Sequence, residues 1–263
     1  MRVALIGANG FVGSAFARLL AGQAKVELLA VTRQNYESLV GTACDLVIEA
    51  ACNARKFLAD ENPRADFEAS VAHRLRTLFD FPAPRHLHLS SVDVYHDLTS
   101  PASTGEETAI DPAKTSTYGF HKLLAEQLVQ HHAREWLIIR LAGMVGPGLK
   151  KNPVFDILER RPLRIHPDSQ YQFMHTDAVA GIVWNLWQQG HRNQPINVCG
   201  RGLISPREIA RIANLPLPEL ALPPGATPRV VHANVDRAAS MLPLPDSTST
   251  IAGFVAEARS AAS

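Results

Sequence analysis

The chain has 263 residues, 46% of them apolar, with 26 basic and 25 acidic side chains for a formal net charge of +1. This composition excludes a disordered chain, and the balanced charge gives no electrostatic reason to expect nucleic acid or an anionic membrane as partner. The length is long for one compact domain and short for two independent ones, which fits an α/β core with a small appended lobe.

Cys44, Cys52 and Cys199 lie far apart without metal-ligand spacing, and an odd count with no framework suits a reducing compartment. The opening Met1-Arg2-Val3-Ala4-Leu5-Ile6 could mimic a signal peptide, but Gly7, Asn9 and Gly10 break the apolar run at once. No stretch reaches the roughly 18 to 20 apolar residues of a membrane span. The expectation is a cytoplasmic protein.

In chain order, residues 2–6 read as a buried strand ended by glycines, 13–21 as a helix with Phe16, Leu19 and Leu20 on one side, and 27–31 as a second strand. A third strand follows over 45–50. Residues 67–79 have helical spacing at Phe67, Val71, Leu75 and Leu78. Strand 85–89 turns His86 and His88 one way and Leu87 and Leu89 the other. Helix 117–131, strand 136–141, helix 177–188 and strand 195–198 complete the alternation. Strands separated by helices imply parallel βαβ units, so the fold class is α/β, a doubly wound parallel sheet. Residues 146–170, and the chain from Arg201 with Pro216, Pro218, Pro223, Pro224, Pro228, Pro243 and Pro245, break the rhythm. Proline density of that kind suits irregular chain and short helices. The division is therefore a Rossmann core of residues 1–145 plus about 175–200, and a small substrate-binding lobe of about 146–174 plus 201–263, with one tail helix around 251–259.

Gly7-Ala8-Asn9-Gly10-Phe11-Val12-Gly13 sets three glycines between a strand and a helix. The first allows a tight turn, the second close approach of a pyrophosphate, and the third close packing of helix on sheet. The helix N-terminus adds free N–H groups and a favourable dipole. The second strand ends Val31-Thr32-Arg33. An acidic residue there would bind the adenosine ribose of NAD, whereas Arg33 offers a cation to a 2′-phosphate, which favours NADP(H) and leaves NAD(H) possible.

Tyr118 and Lys122 stand four apart on one helical face. An ammonium beside a phenol favours the phenolate, so Lys122 is expected to lower the pKa of Tyr118 and make it usable as an acid or base. Ser90 and Ser91 fall at the carboxyl end of a predicted strand, where open parallel sheets place ligand-contacting groups.

These residues resemble the extended short-chain dehydrogenases/reductases of the NAD-dependent epimerase/dehydratase group. The resemblance runs through Gly7-x-x-Gly10-x-x-Gly13, residues 45–51, residues 90–95, Tyr118-x-x-x-Lys122, residues 140–147, Phe173-Met174-His175-Thr176-Asp177 and residues 197–200. It implies that Tyr118 is the general acid/base, that Lys122 holds the nicotinamide ribose and tunes the tyrosine, and that Ser91 is the catalytic hydroxyl. It further implies that Ala50 and Ala51 line the dinucleotide and that Leu141 to Met144 lie near the nicotinamide. The resemblance implies a homodimer too, formed by the 67–79 and 117–131 helices across a two-fold axis.

Two departures narrow the chemistry. Dehydratases of this group place Asp-Glu directly after the catalytic hydroxyl, where this chain has Val92 and Asp93. Epimerases acting on sugar nucleotides usually carry an arginine just before the Phe-x-His segment, where Tyr171-Gln172 stands. The expected function is redox or epimerisation at a hydroxyl or carbonyl carbon of a small sugar or sugar-like molecule. The rival is a non-catalytic NADP-binding sensor or scaffold on the same fold. Lys150, Lys151, Arg160, Arg161 and Arg164 could contact an anion or form a solvated face. His86 with His88, and His131 with His132, lack partners for a metal set, so no metal is expected. Trp184 and Trp187 share a helical face and read as packing. Glu106, Glu107 and Asp111 read as capping or solvating a loop.

Overall fold

A computed structural model describes residues 1–53 and 56–262. The six longest apolar strand signals form one parallel sheet: β1 (Arg2–Ile6), β2 (Glu27–Val31), β3 (Leu46–Glu49), β4 (Arg85–Ser91), β5 (Glu135–Leu141) and β6 (Gln194–Val198). Their order is β2-β1-β3-β4-β5-β6. The strand order reverses beside β1, so the crevice between the carboxyl ends of β1 and β3 is the switch point at which such sheets bind ligands. The principal helices are α1 (Gly13–Ala21), α2 (His73–Asp80), α3 (Thr117–His132) and α4 (Thr176–Gln188).

Alternation along the strands supplies two layers of core. Val3 and Leu5 join Phe16 and Leu20 of α1 with Val183, Trp184 and Trp187 of α4, while Ala4 and Ile6 join Val31, Tyr36, Val47 and Phe81 on the other face. Trp184 and Trp187 are therefore packing residues. A separate core of Val154, Ile157, Phe173, Ile204, Ile209, Ile251 and Val255 lies in the second part of the chain. Short parallel pairs knit that part together: Gly143–Val145 with Phe173–His175, and Gln170–Tyr171 with Val230–Val231. The helix Asp236–Met241 packs on β6, and Ala238 and Leu244 join the main core. This stretch, expected in the lobe, belongs by its packing to the sheet. The tail helix is Ser247–Ala262, longer than the apolar spacing suggested.

The predicted helix over 67–79 is more complex than its spacing. It is preceded by a turn of helix at Pro63–Phe67, capped by Asn62, and it passes through a π-helical turn at Glu68–Ala72 before α2. Leu75 and Phe67 face outward and Phe79 is 63% exposed, while Arg74 and Thr77 are buried. The reason is a charge on the sheet. Glu49 at the end of β3 accepts from Arg74 Nη1 (3.2 Å) and from Thr77 Oγ1 (2.7 Å), and Arg74 Nη2 lies 3.2 Å from Nδ1 of His86 on β4. A buried carboxylate demands such partners, and Arg74 and Thr77 share the inner face with Val71 and Leu78.

Burial, aided by the Arg74 charge, lowers the His86 pKa from 6.5 to about 3. An imidazole that must stay neutral in the folded state but can protonate in the unfolded one stabilises the fold above about pH 6.5, and that contribution is lost as pH falls toward 3. Urea titrations should therefore show stability declining from pH 6.5 to 4, with a shallower decline in His86→Gln. An identical pH slope in the two proteins would contradict this assignment.

Candidate active site

The glycine turn forms one wall of the switch-point crevice. Gly7 has φ +81°, a left-handed conformation that side chains disfavour, and its N–H and that of Ala8 both donate to the Val31 carbonyl at the end of β2 (2.9 and 3.1 Å). A Cβ on Gly7 would lie 2.9 Å from the Ala51 nitrogen, and one on Gly13 would lie 2.0 Å from the Gly7 oxygen. The turn thus abuts Ala51 on one side and the start of α1 on the other. At Gly10 a Cβ would meet only the Gly7 oxygen, at 3.0 Å, among the described residues. Backbone can be approached there, as a pyrophosphate requires. Val12 and Gly13 stand at the N-terminus of α1, with Phe11 just before them, and bring N–H groups of the kind a helix leaves without an internal acceptor. Asn9 is exposed on the same turn.

Of the other predicted dinucleotide contacts, Ala50, Ala51 and Thr32 adjoin this turn. The Ala50 N–H donates to the Ile6 carbonyl (3.0 Å) and the Ala51 N–H to Glu49 Oε1 (3.0 Å). Beyond β2, Thr32 N–H and Oγ1 both donate to Asn35 Oδ1 (2.6 and 3.1 Å), which folds the chain back and leaves Arg33 exposed. Asn35, whose role the sequence pattern did not flag, shapes this bend beyond β2. Leu141 ends β5 in register with Ser91, and Met144 follows in Gly143–Val145. An open glycine turn, free first-turn amides and an exposed cation beyond β2 fit a nicotinamide adenine dinucleotide.

Ser91 is the last residue of β4, two positions further into the strand than the apolar run suggested. The chain then makes a 3-10 turn over Val92–Val94. α3 rests on that turn, and Ser116 caps it by accepting from the Gly119 N–H (3.1 Å). A Cβ on Gly119 would fall 1.9 Å from the Asp93 carbonyl oxygen. Only glycine permits this approach, which sets Tyr118 and Lys122 beside the Ser91 turn. Both are buried, with the Lys122 ammonium 5.6 Å from the centre of the Tyr118 ring.

Ser90 and Ser91 have different fates. Ser90 Oγ donates to Glu126 of α3 (2.5 Å), which also takes two bonds from Arg140 of β5 (3.1 and 2.7 Å). Arg140 in turn donates to the Tyr95 hydroxyl (2.8 Å), which donates to Asn197 Oδ1 (3.1 Å). Ser90 therefore belongs to a buried scaffold network. Ser91 Oγ donates to Asp93 Oδ2 (2.8 Å) and accepts from the Asp93 N–H (3.2 Å).

The electrostatics correct one expectation. Burial raises the pKa of Tyr118, and the Lys122 charge lowers it by less, so the net direction is upward. Spacing alone identified the neighbouring ammonium but not the depth of the phenol. Burial would also lower the pKa of Lys122, yet Cys52, Tyr118 and Asp66 outweigh it and Lys122 is raised. Tyr118 is thus a phenol and Lys122 an ammonium near neutral pH. Burial opposes ionisation of Asp93, but Lys56, Ser91 and Arg229 overcome it and hold its carboxyl below the usual range.

Several of these groups had no sequence signal. Lys56 pairs with Asp93 Oδ2 and lies 5.8 Å from the Tyr118 ring centre, while Arg229 Nη2 lies 3.4 Å from Asp93 Oδ1. Asp66 accepts from Asn53 (2.6 Å) and lies 2.7 Å from His121 Nδ1, tying α3 to the preceding helices. Glu106, read as a loop residue, accepts from the Asn197 N–H (2.9 Å), and Asp111 caps the turn at Pro112–Lys114 as read. Gln172 exchanges two bonds with the Ala233 backbone (3.1 and 2.8 Å), so this position carries structure. In the basic segment, Arg161 stacks over Phe155, and Arg161 and Arg164 influence Asp156, within the lobe. Among the described residues no group of His, Cys, Asp or Glu is placed to hold a metal, and no helix is long and apolar enough to cross a membrane.

Comparison with known proteins accords with this geometry. A profile of the "NAD dependent epimerase/dehydratase family" matches residues 3–199. The chain belongs to that family. It is thus of a class of nicotinamide-dependent epimerases and reductases, which the glycine turn and the buried Tyr118–Lys122 pair suit. No curated protein matches the chain. Among solved structures, it is similar to a UDP-galactose 4-epimerase at 19% identity and TM-score 0.79, over 99% of both chains. It is similar to RMD from Pseudomonas aeruginosa complexed with NADPH at 22% identity and TM-score 0.78, over 98% of this chain and 99% of that one. MoeE5 in complex with UDP-glucose and NAD aligns at 18% identity and TM-score 0.80, over the whole of both chains. At such identities these structures establish the fold, which they share with this family member from end to end.

Proposed function

We propose that this family member is a cytoplasmic NAD(P)-dependent oxidoreductase or epimerase acting on a hydroxyl or carbonyl carbon of a sugar or sugar-like substrate. One observation carries the reading: Gly119 seats the buried Tyr118–Lys122 pair against the turn that follows Ser91, at the carboxyl end of the sheet beside an open glycine turn. The three free cysteines suit a reducing compartment.

Gly7, Asn9, Gly10, Phe11, Val12 and Gly13 would hold the pyrophosphate, Thr32 and Arg33 the adenosine ribose, and Ala50, Ala51, Leu141 and Met144 the remainder. The nicotinamide supplies hydride exchange with the reacting carbon. Tyr118, a phenol in its buried setting, gives its proton to a carbonyl oxygen on reduction and takes it back on oxidation. Lys122 stabilises the phenolate formed between these events. Ser91 spends its own proton on Asp93 and keeps a lone pair for a neighbouring substrate hydroxyl, which places the oxygen of the reacting carbon at Tyr118.

The state of Asp93 bears on reaction type. Expelling a hydroxyl as water needs a positioned proton donor. Val92 has none, and Asp93 is ionised, buried and occupied by Lys56, Ser91 and Arg229. The reaction therefore ends at redox or epimerisation, without dehydration.

Tyr118→Phe keeps the ring and removes the proton, so turnover should fall about 100-fold or more with dinucleotide affinity retained. Near-normal turnover would defeat the mechanism, and absence of any nicotinamide absorbance change across a sugar panel would favour a non-catalytic NADP-binding sensor.

Exposed Arg33 supports NADP(H) as the preferred dinucleotide. Calorimetry should find NADP(H) tighter than NAD(H), and Arg33→Ala should weaken NADP(H) by about 1.5 to 3 kcal/mol with little effect on NAD(H). Equal affinities in the unmodified protein would rule this out.

The outward Phe67, Leu75 and Phe79, with Phe120 of α3, support a homodimer in which α2 and α3 pair across a two-fold axis. Light scattering at micromolar concentration should give twice the chain mass, and Phe79→Glu should shift it to the monomer. A monomer before substitution would refute the assembly.

A further inference from the structure

We infer that Lys56 and Arg229 form a carboxylate clamp beside the reacting carbon, so that the substrate is a hydroxy or keto acid of the sugar-acid type. The inference rests on the roles of Ser91 and Tyr118 proposed above.

The two cations come from unrelated parts of the chain. Lys56 opens the short helix Lys56–Glu61 after β3, and Arg229 precedes the strand Val230–Val231 of the second part. They converge on one carboxylate, that of Asp93, Lys56 at Oδ2 and Arg229 at Oδ1. Asp93 is 4% exposed, whereas the side chains of Lys56 and Arg229 are 52% and 56% exposed. One anion cannot balance two cations, while the buried Lys122 at the same tyrosine has Asp66 to offset it. The cluster of Lys56, Arg229 and Asp93 thus carries excess positive charge on its open side. Bringing like charges together is unfavourable unless a further anion joins them.

The Arg229 contact is also incomplete. A charge-assisted N–H···O bond is usually about 2.7 to 2.9 Å long, and a guanidinium prefers to meet a carboxylate with two parallel bonds. Arg229 reaches Asp93 through Nη2 alone, at 3.4 Å, among the described residues. Its fork has capacity left for a second carboxylate.

Distance fixes where that anion sits on the substrate. Asp93 is bonded directly to Ser91, and Lys56 lies against the Tyr118 ring. An anion held between Lys56 and Arg229 is therefore a neighbour of the oxygen that Ser91 and Tyr118 align. A carboxylate on the carbon next to the reacting one meets that requirement. In a uronate that carbon is C5 and the reacting carbon C4, whereas the phosphate of glucose 6-phosphate stands a methylene and an ester oxygen further out and overshoots the pair.

The probes are D-glucuronate and D-galacturonate, with neutral D-glucuronamide and D-glucose and with glucose 6-phosphate, titrated calorimetrically into the full chain saturated with NADP⁺. A uronate should bind at least 10-fold more tightly than the amide. Lys56→Gln and Arg229→Gln should each remove most of that preference by weakening the uronate far more than the amide, and retain the native circular-dichroism spectrum, as half-exposed positions allow. Equal affinity for acid and amide overturns the clamp. So do tighter binding of glucose 6-phosphate, a preference that survives the double variant, and no uronate binding at millimolar concentration. A clamp-dependent preference without hydride transfer to or from any probe would sustain the clamp and sink the redox reading. Tyr118-dependent turnover indifferent to both substitutions would do the reverse.

Discussion

The site depends on a backbone contact. Helix α3 lies so close to the turn after β4 that a single methyl on Gly119 would collide with the Asp93 carbonyl. That approach fixes the depth of Tyr118 and Lys122, and the far end of the helix is fixed by charge. Glu126, two turns on, takes both arms of Arg140 from β5 and the hydroxyl of Ser90 from β4. A buried pair of this kind adds little net stability, because desolvation offsets attraction. It does allow one rotational setting of the helix over the sheet. Close contact at one end and a buried ion pair at the other leave Tyr118 no freedom to slide away from Ser91.

Much of this was legible in the residues, for definite reasons. The glycine turn was readable because three glycines at that spacing, between a strand and a helix, serve few purposes besides a tight turn open to phosphate. The sheet order places that turn at the crevice. Tyr118 and Lys122 were readable because helical periodicity puts them on one face. The protonation of Tyr118 was not, because burial is set by residues distant in sequence. The inward face of α2 was not legible for the same reason: Glu49, on another element, recruits Arg74 and Thr77 inward, while Leu75 and Phe79 stay exposed. Lys56 and Arg229 lie 173 positions apart in the chain (229 − 56) and share no pattern. They meet only because Asp93 lies between them.

The chemistry proposed above is divided between two kinds of chain. The groups proposed for proton handling and dinucleotide binding sit at the ends of sheet strands and on α3, where the main core holds them. Those proposed to face the rest of the substrate sit on short, peripheral segments. A two-residue strand would be a weak platform alone, but Gln172 fastens the chain just beyond it by bonding the Ala233 backbone in both directions.

That fastening has a consequence for how the protein can change over time. The proline-rich stretch 214–228 runs between two fixed points, the helix Pro206–Ile212 with its Ser205–Glu208 capping box and the strand secured by Gln172. Loop closure costs little more for a longer loop, by about 0.6 kcal/mol for each doubling. Insertions and deletions between the pairing of Glu219 and Ala221 with Leu163 and the strand at Val230 leave both registers intact. Such a segment lets a lineage vary its outline by changes of length, while the sheet is inherited unaltered.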